Sequence, residues 1–501
     1  MAISPGPGLR STPDQVAQFR SALWSAGYQT ERVSEVLGAD RRHLQPDPAQ
    51  SVLLGRQLPS ASPLSTLIRL FILGLTVPEP EAAAALAPLT IEHAAELGVI
   101  RGAAGGVEGA VRITPYAEFL FACSRVPELH AVDPGHVMGV TNSSINLANL
   151  TIRRPVGLAL DVGCGCGFQA LFAARHASRV IAVDVNPVAL QFTEFNARLN
   201  GFDNIECREG DYLEPVAGEA FDLIVANPPF VISPESRFLY RDSGLGGDEL
   251  CRRLSAEVPA ALREGGTATM LVSWGRRPGE AWDVTPRRWL EGSGSDAWVF
   301  HLATQPAQLH AASWHQILAS QDVAAYGEGV ARWTDYITGL GFDSIAYGAL
   351  VWRRRQGSNW VRAEDLPSSS VDAAGEQLLR MTAAQDLLAG LAGRSSLLDQ
   401  KLRLVDGHRL DQTLHCRDGA YSVESAVLRQ VEGLGFSANV DAFNAYLLTR
   451  LDGSRSLREA IAEAAGVVPP DGLDEDEVEP VALRSARRMC ELGFIEVAAV
   501  R

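Results

Sequence analysis

Lysine is all but missing from this chain: of 501 residues only Lys401 is a lysine, and arginine carries the remaining positive charge. With abundant alanine and glycine, that bias fits a GC-rich bacterial genome and carries no chemistry. Acidic residues outnumber basic ones, 60 against 44, for a formal net charge of −16. Nucleic-acid binding draws much of its affinity from basic groups that displace counterions. The acidic balance therefore disfavours an extended RNA or DNA surface and points to a small molecule or a protein as partner. Long hydrophobic runs are also lacking, since LIRLFILGL at 67–75 is far shorter than a membrane span. The opening MAISPGPGLR has no apolar stretch of the kind an export signal needs, and a cytoplasmic chain is expected.

Cysteine is sparse and unpatterned. Cys123, Cys164, Cys166, Cys207, Cys251, Cys416 and Cys490 form no CxxC pair, so neither a disulfide framework nor a metal site is expected. No internal period marks a repeat architecture.

What is present is an ordinary globular composition, 46% hydrophobic and 21% charged, in a chain too long for one core. Three domains are expected, over 1–125, 126–355 and 356–501. In the first, Ser11-Thr12-Pro13-Asp14 signals a helix start, and PLSTLIRLFILG, EPEAAAALA and TIEHAAELGVI read as three short helices. A glycine-rich turn and the strand VRITPY follow, the order of a winged helix. Between Val156 and Arg355 strand and helix patterns alternate, which argues for an α/β domain with a mostly parallel sheet covered on both faces. Its strands are GLALDV, RVIAVDV, IECREGD, FDLIVA, TATMLVSW, DAWVFHLAT and SIAYGALVWRRR. The polar RQGSNWVRAEDLPSSSVD reads as a linker. The third domain holds a hairpin in LVDGHRLDQTLHCRDGAY, a helical FNAYLLTRLDGSRSLREAIAEAAG and an acidic loop PPDGLDEDEVEP. It ends in a helix and a short strand, again winged-helix-like.

The chemistry concentrates at strand ends. Asp161-Val-Gly163-Cys-Gly165-Cys-Gly167 follows the first strand of the α/β region. A dinucleotide fingerprint would need its third glycine at 168, where Phe168 stands. The observed spacing lets backbone pass close beneath a ligand that has no pyrophosphate to cradle. Asp161 can anchor the turn or reach the amino group of a cationic amino acid. Asp184 ends the next strand, where an acid can accept both ribose hydroxyls of an adenosyl group. One strand further, Asp211 offers an acceptor for an exocyclic adenine amine and Tyr212 a ring against the base. Each acid alone could be a surface or capping group; three at consecutive strand ends share one crevice.

The fourth strand runs into Asn227-Pro228-Pro229-Phe230. Prolines remove backbone donors and fix the chain, so carbonyls can point into the crevice. The Asn227 amide oxygen and the Pro228 carbonyl can each accept a hydrogen bond from one planar NH2 group, with Phe230 stacking on its plane.

These motifs resemble the class I S-adenosylmethionine-dependent methyltransferases, in the branch with an Asn-Pro-Pro-aromatic motif. That branch holds release factor glutamine, adenine N6 and ribosomal guanine N2 methyltransferases. The resemblance covers about residues 130–355. It implies a Rossmann-like seven-stranded sheet whose last strand is antiparallel, and S-adenosyl-L-methionine as cofactor. It assigns Asp161, Gly163, Gly165, Gly167, Asp184, Asp211, Tyr212 and Asn227 to the cofactor. Asn227, Pro228, Pro229 and Phe230 are assigned to catalysis on a planar nitrogen. Tyr240-Arg-Asp-Ser-Gly244-Leu-Gly-Gly-Asp248 resembles the glycine-rich segment that follows this motif in the release factor group, as a substrate wall or a plain loop. Phe230 departs from the tyrosine usual in the glutamine and adenine enzymes, and neither flanking domain matches the release factor enzymes. The three-part layout resembles actinobacterial methyltransferase-domain proteins. His136 reads as a structural histidine or a pocket residue. Two other readings stay open: an S-adenosylmethionine-sensing DNA-binding regulator with a degenerate core, and methylation of an oxygen or carbon of a small natural product. A homodimer is left open as well.

Overall fold

The computed structural model describes the chain except residues 1–7, 11, 39–47, 60–61, 126–134, 237–238, 320–321, 392–396, 471 and 499–501. Ser11, expected at the first helix start, and the expected boundary after 125 fall at or within those stretches. The chain opens with helices α1 (Pro13–Ser25), α2 (Thr30–Leu37), α3 (Pro48–Gln57), α4 (Pro63–Phe71), α5 (Glu79–Leu86) and α6 (Ile91–Glu96). Two hairpins follow, β1 (Ile100–Ala103) with β2 (Gly106–Gly109), and β3 (Arg112–Tyr116) with β4 (Phe119–Cys123). Three helices then a hairpin is the expected order, with Val77 bridging Val107 as a one-residue strand. VRITPY is a strand, paired with FLFAC in a hairpin of its own.

The α/β region runs α7 (Asn142–Leu150), β5 (Val156–Val162), α8 (Phe168–Ala174), β6 (Ala177–Asp184), α9 (Pro187–Asn200), β7 (Ile205–Glu209) and β8 (Phe221–Ala226). It continues with α10 (Glu249–Ala260), β9 (Leu262–Arg276), α11 (Val284–Leu290), β10 (Ser295–Pro306), α12 (Ala307–Ala319), α13 (Val323–Gly339), β11 (Ser344–Arg354) and β12 (Val361–Asp365). The local chemistry is plain in α9. Asn186 caps it by accepting the Val188 N–H, Pro187 opens its first turn, and Gly201 ends it at φ 80°.

The sheet order is β12-β10-β11-β9-β8-β5-β6-β7. Strands β5 to β9 pair in parallel, and β11 runs antiparallel to both β9 and β10. The fold is thus Rossmann-like with β11 reversed, but it has eight strands where seven were expected. The extra one is β12, which lies inside the segment read as a linker. The Trp360 carbonyl beside it accepts the Ala297 N–H at 2.9 Å. Its polar sequence suits an edge strand, where one face and one flank stay wet, and alternation over five residues is too short to stand out. Helix α12 was not foreseen either.

Residues 1–148 and 154–364 pack as one compact unit, and 149–153 with 365–501 as a second. The boundary expected at 355 therefore falls after β12, and the first unit has no break at 125. The reason is a shared core. Phe19, Phe71 and Phe121 are buried in one cluster with Phe168, Phe192 and Phe195 of α8 and α9.

The second unit contains α14 (Gly375–Gly390), β13 (Lys401–Leu404), β14 (His408–Arg417), β15 (Ala420–Gln430) and β16 (Ser437–Asn439). After these come α15 (Ala442–Arg450), β17 (Asp452–Ser456), α16 (Leu457–Val467), α17 (Glu475–Glu491) and β18 (Ile495–Val497). The expected hairpin is β14–β15. Two readings need correction. The segment FNAYLLTRLDGSRSLREAIAEAAG is split by β17, because Gly453 at φ 83° and Asp452 break the helical run. The second half of the acidic loop is the first turns of α17, where Glu475, Asp476 and Glu477 complement the helix dipole and Asp474 with Glu477 forms a capping box. Among the described residues no helix is long and apolar enough to cross a membrane.

Asp296 on β10 shows how tightly the antiparallel edge is held. Its fully buried carboxylate accepts from Arg353 at 2.5 Å, from Arg355 at 2.8 Å and from the Trp360 N–H at 3.3 Å. Asp296→Ala is expected to cost about 2–3 kcal/mol, below the full penalty of a broken buried pair because both arginines keep some solvent. Urea unfolding measures it, and a loss under about 0.5 kcal/mol would show that water replaces the carboxylate.

Candidate functional site

Strand order reverses between β5 and β8, so a crevice opens beyond the carboxyl ends of these strands. All the expected motifs emerge there. The turn after β5 is closed by the Gly163 and Cys164 N–H groups, which donate to the Val183 carbonyl at 2.9 and 3.0 Å. Gly163, Gly165 and Gly167 have φ of 73°, 54° and 78°, a left-handed backbone that favours glycine. Their surroundings differ. A Cβ at Gly163 or Gly165 would meet nothing within 4 Å, so open space lies over both. A Cβ at Gly167 would press Thr193 of α9 at 3.0 Å, so this glycine is explained by packing. Cys164 and Cys166 are buried in the same turn, and burial pushes both thiols up, which leaves them unreactive.

Asp161 is buried at 1% exposure and accepts the Ala170 N–H at 2.9 Å, so it braces the start of α8 from below. Burial raises its carboxyl to about 7, against the lowering pull of Ala170 and with some repulsion from Asp184. Asp184, at the end of β6, is half-buried. One oxygen accepts the Gly165 N–H and the other the Asn186 N–H, both at 2.9 Å. Burial raises this carboxyl too, and the backbone donors hold it down. A carboxylate has about four lone-pair sites, so these two bonds leave room for further donors.

Gly210 donates to the Asp184 carbonyl at 3.1 Å and brings Asp211 and Tyr212 to the same edge. Arg253 of α10 stands 3.8 Å from the Asp211 carboxylate and 5.7 Å over the Tyr212 ring. Asp211 is raised by burial and lowered by Arg253. Beyond β8, Phe230 and Tyr212 pack partly buried against the same apolar cluster. Ser273 on β9 donates its hydroxyl to the Phe230 carbonyl. Among the described residues nothing donates to the Asn227 side-chain oxygen or the Pro228 carbonyl.

His136 is buried, with its ring edge-on to Tyr240 at 5.7 Å, and the Gly135 carbonyl accepts from the Asn186 amide at 3.1 Å. The segment from Tyr240 to Asp248 is a loop of turns and bends tied down by its side chains. Arg241 bonds the Asp242 carboxylate at 2.7 and 2.9 Å and Glu235 at 2.8 Å, and lies 5.2 Å over Trp333 of α13. Ser233 donates to Asp242 at 2.9 Å, and Asp248 accepts the Gly275 N–H at 3.0 Å. Sequence reasoning missed Glu235, Ser273 and the α9 residues Thr193 and Asn196. Only Asn196 had a visible signal, a polar residue on an otherwise apolar helix face.

Comparison with known proteins agrees with this geometry. Residues 141–272 match the methyltransferase small domain, and residues 25–110 match a domain of unknown function, DUF7059. Release factor glutamine methyltransferase of Xylella fastidiosa (strain 9a5c) is 36% identical over 126 residues, 23% of this chain and 46% of that protein. Ribosomal protein uL3 glutamine methyltransferase of Bradyrhizobium diazoefficiens is 32% identical over 158 residues, 29% of this chain and 50% of that one. The chain thus spans about half the length of these relatives. Among solved structures, geranyl diphosphate C-methyltransferase of Streptomyces coelicolor is similar over 42% of this chain and 77% of its own, at 16% identity and a TM-score of 0.27. So low a score leaves the fold resting on the sheet order itself.

The raised Asp161 carboxyl makes a pH prediction. A pKa near 7 in the folded state, against about 3.9 for a free aspartate, means that the stability this group contributes is complete below about pH 4 and drains as pH rises through 7. Asp161→Asn removes the titration. Its stability relative to the parent should rise between pH 5 and pH 8, by up to about 3 kcal/mol. A difference that stays flat across that window in urea unfolding would contradict the buried-acid assignment.

The match to the methyltransferase small domain over residues 141–272 thus spans every one of these strand-end motifs, from Asp161 to Phe230.

Proposed function

We propose that this protein is a methyltransferase acting on a planar amide nitrogen, with a glutamine side chain of a protein as acceptor. One observation carries the reading. At the end of β8 two acceptors, the Asn227 amide oxygen and the Pro228 carbonyl, have no donor among the described residues, while the Phe230 carbonyl, two residues on, is taken by Ser273. A primary amide presents two N–H groups in one plane and satisfies both acceptors at once. The glutamine methyltransferases among the relatives, and the acidic charge, favour a protein acceptor over nucleic acid.

The open space over Gly163 and Gly165, flanked by the Asp184 carboxylate, fits the cofactor. Asp184 would receive the ribose hydroxyls, and Asp211 with Tyr212 the adenine. Asp161 and Gly167 act one step behind, bracing the turn and seating it on α9. When bound, S-adenosyl-L-methionine supplies an electrophilic sulfonium methyl. Asn227 and Pro228 hold the acceptor nitrogen by its two protons and so aim its developing lone pair along the line of displacement. Such positioning can be worth roughly 7–11 kcal/mol. Hydrogen bonds that strengthen as the nitrogen pyramidalises lower the barrier rather than tightening the ground state. Phe230 packs on the acceptor plane as an apolar surface. The proton leaves to water after transfer. The first flanking region is read as winged-helix-like from its helix-then-hairpin order, and the second from its closing helices followed by a short strand.

Two variants test this. Asp184→Ala should abolish S-adenosylmethionine binding in calorimetry, and unchanged affinity would remove the cofactor assignment. Asn227→Ala should bind the cofactor as the parent does. Its transfer of labelled methyl to proteins of a bacterial extract should fall by about a hundredfold or more. Retained transfer, or label found by mass spectrometry anywhere but on glutamine, overturns the acceptor reading.

A further inference from the structure

Helix α9 joins the glycine-rich turn to the N-terminal hairpin through two asparagines one turn apart on the same face. Asn200 accepts the Leu120 N–H at 2.9 Å and donates to the Leu120 carbonyl at 2.8 Å. Asn196 does the same to Ala122, at 2.8 Å in each direction. Two side-chain amides thus line the free edge of β4 as a neighbouring strand would. Asn196 has one more proton, and it goes to the Cys166 carbonyl at 2.8 Å, inside the turn between Gly165 and Gly167. That carbonyl needs a donor, because the Ala170 N–H, four residues on, is given to Asp161. Asn196 is fully buried, and Thr193, one turn earlier, donates to the Gly165 carbonyl at 3.1 Å.

We propose that Asn196 is a positioning residue for the glycine-rich turn, and that through it the N-terminal β3–β4 hairpin supports cofactor affinity. This rests on the reading of that turn as part of the cofactor site. The hairpin continues directly from the residues matched as a domain of unknown function and shares one apolar core with them and with α9. The N-terminal region thereby acquires a role: it holds the β4 edge against which Asn196 is oriented, and Asn196 holds the turn. Cofactor binding and the seating of the hairpin are then linked, each favouring the other by the same free energy.

Asn200 is the internal control, since it makes the same pair of bonds to β4 and, among the described residues, none to the turn. In the full chain, Asn196→Ala and Asn200→Ala should both lower the melting temperature. Only Asn196→Ala should weaken S-adenosylhomocysteine binding in calorimetry, by about tenfold or more. In the parent, S-adenosylhomocysteine should slow hydrogen exchange at the Leu120 and Ala122 N–H groups, a readout that needs no variant to fold. Equal loss of affinity in both variants, or no loss in either, overturns the positioning role. So does exchange at Leu120 and Ala122 that ignores bound S-adenosylhomocysteine. If the parent does not bind S-adenosylhomocysteine at all, it is the cofactor reading that fails instead.

Discussion

The turn that leaves β5 is the constraint on which the rest of the site depends. It must reverse direction within five residues and still present backbone, not side chains, to the crevice, and only left-handed glycines allow that. Such a turn has few bonds of its own. It is held from outside by the Val183 carbonyl, the Asp184 carboxylate, the buried Asp161 and the polar face of α9. Every one of these partners belongs to another element, so the turn has its shape only when the sheet and α9 have assembled around it.

The chain leaving β8 is built on the opposite principle. Prolines at 228 and 229 stiffen the chain leaving β8 and strip it of donors, so its carbonyls have to be satisfied by something else. Ser273 satisfies Phe230, and the buried Arg241–Asp242 pair with Glu235 ties the following segment to α13. A buried ion pair is a poor source of net stability, but it tolerates few alternative arrangements. That suits a segment that has to hold one arrangement beside β8.

Much of this was legible because it is local. The alternation of apolar strands and amphipathic helices, the D-x-G-x-G-x-G spacing and Asn-Pro-Pro-Phe after an apolar strand each depend on neighbours in sequence. What was misread was short or non-local. Strand β12 has a linker's composition because an edge strand needs little apolar surface. The acidic start of α17 looked like a loop because three carboxylates in a first turn serve the helix dipole, which composition does not reveal. The first unit shows no seam at 125 because phenylalanines from both sides of that point fill one core.

The residues from Asp161 to Phe230 by themselves determine which groups are available at the strand ends: three acids, three glycines and a rigid pair of carbonyls. Which of them face a ligand and which are occupied inside the protein was decided only by the tertiary structure. Asp161 and Asp184 are both aspartates at the ends of neighbouring strands. One is buried and accepts from the first turn of α8, and the other, half-buried, accepts from Gly165 and Asn186. Asn227 and Asn196 are both asparagines, one without a partner among the described residues and one with three bonds to two segments. The physical reason is that hydrogen-bond satisfaction is a property of the assembled neighbourhood. A sequence names the donors and acceptors, and packing determines which of them find partners inside the protein.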